Sequence, residues 1–134
     1  MPVIVIDANI EGQCSCIWMR LQSDVWREFT TALDVTFQTL AEAGLDPASS
    51  DDVIWRFCQA NGHFLLTSNR NQEAEDSLET TIRREGTATS LPVFTLPNPD
   101  NVYQSDFLER VVEKLFDYVL NADNIRGTGR LYLP

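Results

Sequence analysis

Three short runs constrain this chain more than anything else in it. Pro2 to Ile6, His63 to Thr67 (HFLLT) and Leu91 to Leu96 (LPVFTL) are brief, apolar and free of internal polar alternation. Runs of this length with β-branched residues read as strands buried on both faces. Between them the period switches to that of helices. Apolar side chains at Cys14, Ile17, Trp18 and Leu21 mark a helix over Glu11 to Leu21. A second helix is expected over Asp24 to Leu33, capped by Ser23 or Asp24, with Val25, Phe29 and Leu33 on one face. At Leu33 the period changes, and Val35, Phe37 and Thr39 alternate with Thr36, Gln38 and Leu40 as in a strand. Gly44 to Ser50 reads as a loop. Ser50-Asp51-Asp52 opens a helix with Val53, Ile54, Phe57 and Cys58 on its apolar face, closed at Asn61-Gly62. Ser68 to Asp76 is a polar loop, followed by a helix around Leu78 to Arg84. Pro97 to Asp100 is a turn, and Asp106 to Asn121 is the clearest amphipathic helix. Gly127-Thr128-Gly129 reads as a flexible tail or turn.

Parallel neighbours need crossover helices, so strands alternating with helices imply one mostly parallel sheet covered on both faces. The expectation is a single domain over 1–134, a three-layer α/β/α sandwich with strands near 2–7, 34–39, 63–67 and 92–96. In such sheets functional groups gather at the carboxyl ends of the strands, where the strand order reverses. Asp7 and the Thr67–Asn71 segment each follow a strand directly and should meet at that edge.

Composition narrows the function. Twenty acidic residues against ten basic ones give a net charge of −10, so binding duplex nucleic acid through phosphates alone is disfavoured. Only Lys114 among the basic residues is lysine; the rest are arginine, the better planar partner for carboxylate or phosphate. No apolar run approaches the roughly 20 residues of a membrane helix. The N-terminal run stops at Asp7 and lacks a basic leader, so a cytoplasmic location is expected. Three cysteines and one histidine, His63, make neither a disulfide framework nor a zinc site. There is no serine nucleophile elbow, no phosphate-binding GxxxxGK[ST] loop and no dinucleotide fingerprint. Trp18, Trp26 and Trp55 read as core or interface residues rather than base-stacking platforms.

Three features together resemble the PIN-like nuclease fold, in particular its small bacterial branch: Val5-Ile6-Asp7, a strand ending in Asp; Ser50-Asp51, opening a helix that closes at Gly62; and Leu65 to Asn71, a strand followed by a polar loop. The resemblance covers about residues 2 to 72. Two segments stand outside it, Asp76-Ser77-Leu78-Glu79 and Arg126 to Leu131, a pattern peculiar to a subgroup. The resemblance implies a PIN-like fold and hydrolysis of phosphodiesters with Mg²⁺ or Mn²⁺, held by clustered carboxylates. Asp7 and Asp51 match two acidic positions of that family and are its implied catalytic residues. The family's Thr-x-Asp-x-Asp is Thr67-x-Asn69-x-Asn71 here, so Asn69 and Asn71 would ligate through carbonyls, each with one charge fewer. Asn9, Thr67, Ser68, Arg70 and Asp76 are supporting positions. Glu73, Asp76, Glu11 or Glu42 could restore charge.

Each of these residues also has a structural reading. Asp51 can be a helix cap favoured by the helix dipole, and the asparagines can be turn residues. The implied activity is a metal-dependent ribonuclease on single-stranded or structured RNA. The alternative is a degenerate relative that uses the same cleft to bind a ligand or a protein. A toxin-type nuclease with an antitoxin-like partner and a homodimer both belong to what the resemblance implies.

Overall fold

The computed structural model describes residues 2–68 and 77–134. Its five strands are β1 (Val3–Ile6), β2 (Thr36–Thr39), β3 (Phe64–Thr67), β4 (Val93–Thr95) and β5 (Arg130–Tyr132). They form one sheet in the order β2-β1-β3-β4-β5, with every neighbouring pair parallel. The helices are α1 (Glu11–Leu21), α2 (Arg27–Leu33), α3 (Asp51–Asn61), α4 (Leu78–Glu85) and α5 (Ser105–Leu120). The expected α/β architecture with a parallel central sheet is what the chain adopts.

The apolar strands behave as their lack of alternation requires. Every side chain of β1 and β3 is buried. Ile4, Ile6, Phe64, Leu66 and Phe94 point to one face, where α1 and α5 cover them with Ile17, Leu21, Val112 and Leu115. Val5, Leu65 and Val93 point to the other, beneath Ile54, Trp55 and Cys58 of α3 and Leu78 of α4. We call these the first and second faces. On the first face an aromatic stack runs from Phe64 to Phe94 (4.7 Å) to Tyr118 (5.4 Å), bridging β3, β4 and α5.

The change of period at Leu33 is real. Asp34 takes a left-handed conformation (φ 55°), ends α2, and releases the chain into β2. Three expectations need correction. Helix α2 starts at Arg27 instead of Asp24, and it leaves Val25 (61% exposed) and Phe29 (56% exposed) largely in solvent. The anchor of this region is Trp26, which stacks on Phe116 at 5.3 Å while its indole N–H donates to Glu109 at 2.7 Å. Val53, expected on the apolar face of α3, is also exposed. The Gly127-Thr128-Gly129 segment is a turn, one of the two forms expected, with glycine φ of 83° and 77°; it leads into β5, where Leu131-Tyr132 pairs with β4. Three residues are too few to display a strand period. The Pro97–Asp100 turn also extends into a 3₁₀ helix over Pro99–Tyr103.

The connections carry an unusual feature. The β3-to-β4 and β4-to-β5 crossovers move in the same direction across the sheet. Helix α4 lies on the second face, however, and α5 on the first. The two crossovers are therefore of opposite hand. The β1-to-β2 crossover moves the other way over the first face, and the β2-to-β3 crossover moves with β3-to-β4 over the second, so both share the hand of β3-to-β4. Parallel crossovers are right-handed in about 98% of cases. The last one is the exception.

Because Phe94 is fully buried at the centre of the aromatic stack, Phe94→Ala should lower stability by about 3–5 kcal/mol. Phe94→Leu, which refills most of the volume, should cost less than half as much. Urea denaturation followed by far-ultraviolet circular dichroism measures both; equal losses would show that the aromatic contacts, rather than the buried volume, hold β4 in place.

Candidate functional site at the carboxyl edge of the sheet

From β1 the chain passes to β2 on one side, while β3 lies on the other, so the strand order reverses between β1 and β3. Asp7 stands directly at that point. Its N–H donates to the Leu66 carbonyl at 3.0 Å, continuing the β1–β3 ladder by one residue. Two residues beyond Val5, its side chain emerges on the second face. There the Thr67 hydroxyl donates to Asp7 Oδ2 at 2.7 Å. Thr67 is buried, at 1% exposure, whereas Asp7 is half-buried. No described residue donates to the other carboxylate oxygen of Asp7. The sequence expectation that Asp7 and Thr67 meet at the strand ends is met.

Asp51 occupies the first position of α3, at the same edge and on the same face. Its carboxylate does more than favour its own helix dipole. Oδ2 accepts from the backbone N–H of Leu78 at 3.3 Å, tying the start of α3 to the start of α4. The neighbouring Ser50 side chain makes no backbone cap and instead donates to Asp52. Ser77 caps α4 by accepting from the Thr80 N–H at 3.2 Å. Asn9 is exposed in the 3₁₀ turn after Asp7, and Ser68 is half-buried just beyond β3. Asn69, Arg70, Asn71, Glu73 and Asp76 lie outside the described residues.

Sequence reasoning missed the remainder of this edge. Thr95 is the register partner of Thr67 and shares its face, so the two buried hydroxyls stand side by side. Thr95 Oγ1 accepts from Arg130 Nη1 at 2.6 Å. Arg130 Nε and Nη2 both donate to Glu79 Oε2, at 3.1 and 2.9 Å. The arginine side chain is only 8% exposed. A contiguous row of polar groups thus runs from Asp7 through Thr67, Thr95 and Arg130 to Glu79. Glu79 and Arg130 belong to the two segments that stood outside the family pattern, and the fold brings these segments together. That pairing of an acidic and a basic segment about 50 residues apart was the available signal.

Of the carboxylates considered as substitutes, Glu42 is occupied locally. It accepts from the Thr39 N–H at 3.0 Å, while its own N–H donates to Thr39 Oγ1 at 3.1 Å, a reciprocal capping box. Glu11 lies at the start of α1, on the first face. Among the described residues no three His, Cys, Asp or Glu side chains come close enough to hold a metal ion. Mg²⁺ commonly takes only one or two protein carboxylates, with waters and substrate phosphate completing its shell. Asp7 and Asp51, placed on the same edge, fit that sparse mode.

Comparison with known proteins returns no matching family model, no matching curated protein and no matching solved structure. The likeness to PIN-like nucleases therefore rests on the residues quoted from the chain itself.

The cysteines are structural. Burial pushes the Cys14 thiol up to about 12, helped by the charges of Asp7, Cys16 and Glu11, and burial alone takes Cys58 to about 12. A thiol whose folded value is raised contributes stability fully below its ordinary value of 9.0, and loses it as pH climbs through the folded value. Thermal melts should accordingly hold steady to about pH 9 and fall progressively toward pH 12. A disulfide reagent at neutral pH should label Cys16 alone in the native protein and all three cysteines in denaturant. Rapid native labelling of Cys14 or Cys58 would contradict their burial.

A second test addresses the Asp7–Thr67 contact. Thr67→Val keeps the shape but removes the donor, and should cost about 1–3 kcal/mol in urea denaturation at neutral pH. Thr67→Ser, which restores the hydroxyl, should recover most of the loss.

Proposed function

We propose that this chain is a PIN-like, metal-dependent phosphodiesterase acting on single-stranded RNA, with a site weaker in charge than an all-carboxylate one. The observation that carries the reading is the carboxylate of Asp7, which is fixed by Thr67 at the point where strand order reverses. A carboxylate placed there, with one oxygen held by Thr67 and no described donor on the other, is suited to receive a cation or a donor from a ligand. Asp51 is the second candidate ligand on the edge. Bound Mg²⁺ or Mn²⁺ would supply water activation and neutralise charge on the phosphate oxygens.

The protein's own groups have distinct tasks in this reading. Thr67 holds the Asp7 carboxylate in one orientation, so little reorganisation is needed when a ligand arrives. Arg130, fixed by Glu79 and Thr95, places a positive charge among the acids of the edge and moderates their mutual repulsion. A net charge of −10 makes long-range attraction of RNA weak, so recognition must be local.

The second reading is a binding module that has lost catalysis. It is favoured by the lack of any three-ligand group among the described residues. Calorimetric titration with Mn²⁺ separates the two. The first reading expects saturable binding that Asp7→Asn weakens by about tenfold or more, about 1.4 kcal/mol, without loss of fold. Asn69→Asp combined with Asn71→Asp should tighten binding and raise cleavage of single-stranded RNA. Binding that is absent in the wild type and in the double variant would leave only the second reading.

A further inference from the structure

A separate opening lies on the first face, between α1 and β2. It is a cavity of about 700 Å³ whose walls include Glu11, Cys14, Trp18, Phe37, Thr39 and Glu42. That volume is in the range of roughly 300–1,000 Å³ usual for small-molecule sites. The Trp18 and Phe37 rings, 5.3 Å apart and inclined at 34°, form an aromatic wall. Glu11 and Glu42 both line this space. Neither Glu11 nor Glu42 forms an ion pair with an arginine or lysine among the described residues, although eight other pairings with acidic groups are made there. Glu42 is held in place by its capping box with Thr39, so its charge is delivered at a fixed position.

These features select a ligand class. An anion would meet two carboxylates with no compensating cation among the described residues. A compact metal ion would want three close oxygen, nitrogen or sulfur ligands, and no such group occurs among the described residues. A neutral apolar molecule would leave the carboxylates without donors at its side. An organic cation satisfies every wall: its N–H groups reach carboxylate oxygens, its charge faces an indole, and its carbon body lies against the rings.

We propose that this cavity binds a small organic cation, an ammonium or guanidinium group on an apolar body, with Glu11 and Glu42 as charge partners and Trp18 as the ring it packs against. The site is on the opposite face from the Asp7 and Thr67 side chains, so it stands or falls independently of the phosphodiesterase reading.

Titration of the ¹⁵N-labelled full chain, following the Trp18 indole N–H identified by its loss in Trp18→Phe, tests this directly. The probes are phenethylamine, neutral 2-phenylethanol and anionic 3-phenylpropionate. Phenethylamine should produce a saturable shift that weakens at high salt, and the other two should produce little. Glu11→Gln should weaken the amine by about fivefold, the scale of one partly exposed ion pair. Glu42→Gln, which keeps the acceptor for the Thr39 N–H, serves if Glu11→Gln does not fold. Equal shifts from the neutral or anionic probe, no saturable shift with the amine, or undiminished amine binding in the folded variant would each overturn the proposal.

Discussion

The structure depends on two strands whose side chains are all buried, Thr67 being the single polar one. In β1 and β3 all eight positions are buried, alternating between the two faces of the sheet. Such a strand pair cannot sit at an edge or face water, so both faces must be roofed, and the chain must supply helices to each. Four helices do so, two per face. At about 1.5–3 kcal/mol for each large aliphatic side chain buried, these strands contribute much of what offsets the entropy of ordering the domain. The short lengths follow from the same constraint. β1 stops before Asp7, and β3 ends before Ser68 on Thr67, whose buried hydroxyl is bonded to Asp7.

That termination is also what makes the polar edge. The polar groups there satisfy one another: Asp7 with Thr67 at the strand ends, Thr95 with the side chain of Arg130, which reaches up from the start of β5, and Arg130 with Glu79 of α4. Asp51 extends this logic to the backbone by accepting the Leu78 N–H at the start of the next helix. A fold built around a parallel sheet thus gathers its chemistry on one rim without any residue being placed there for chemistry alone. The same rim on the first face is organised differently, with aromatic rings and carboxylates around an open volume.

The parts of the fold legible in the sequence were those set by local periodicity. The apolar runs at residues 2–6, 63–67 and 91–96 marked three strands, and the change to alternation after Leu33 marked a fourth, because burial on two faces and a period of two each leave local marks. Asp7 was legible as well, since an acid after a buried strand needs a partner. The fifth strand and the Glu79–Arg130 pair were not. A three-residue edge strand shows no period, and an ion pair between distant segments depends on the strand order, which local pattern does not encode. The exposure of Val25 and Phe29 escaped for a similar reason: Trp26 took the buried place through a tertiary contact with Phe116 and Glu109.

The reversed hand of the last crossover has a consequence for how the chain is made. Every residue up to Leu96 can leave the ribosome and form β1 to β4 with α1, α3 and α4, which completes the second face. The first face would still be half bare at that stage, because α5, which covers Phe64, Phe94 and their neighbours, is encoded in the last third of the chain. A conventional final crossover would instead have added α5 to the face already covered, leaving the first face half bare. The exceptional hand therefore places the cover of the first face late in the domain, and it leaves the nascent protein with an exposed aromatic and aliphatic surface until α5 emerges.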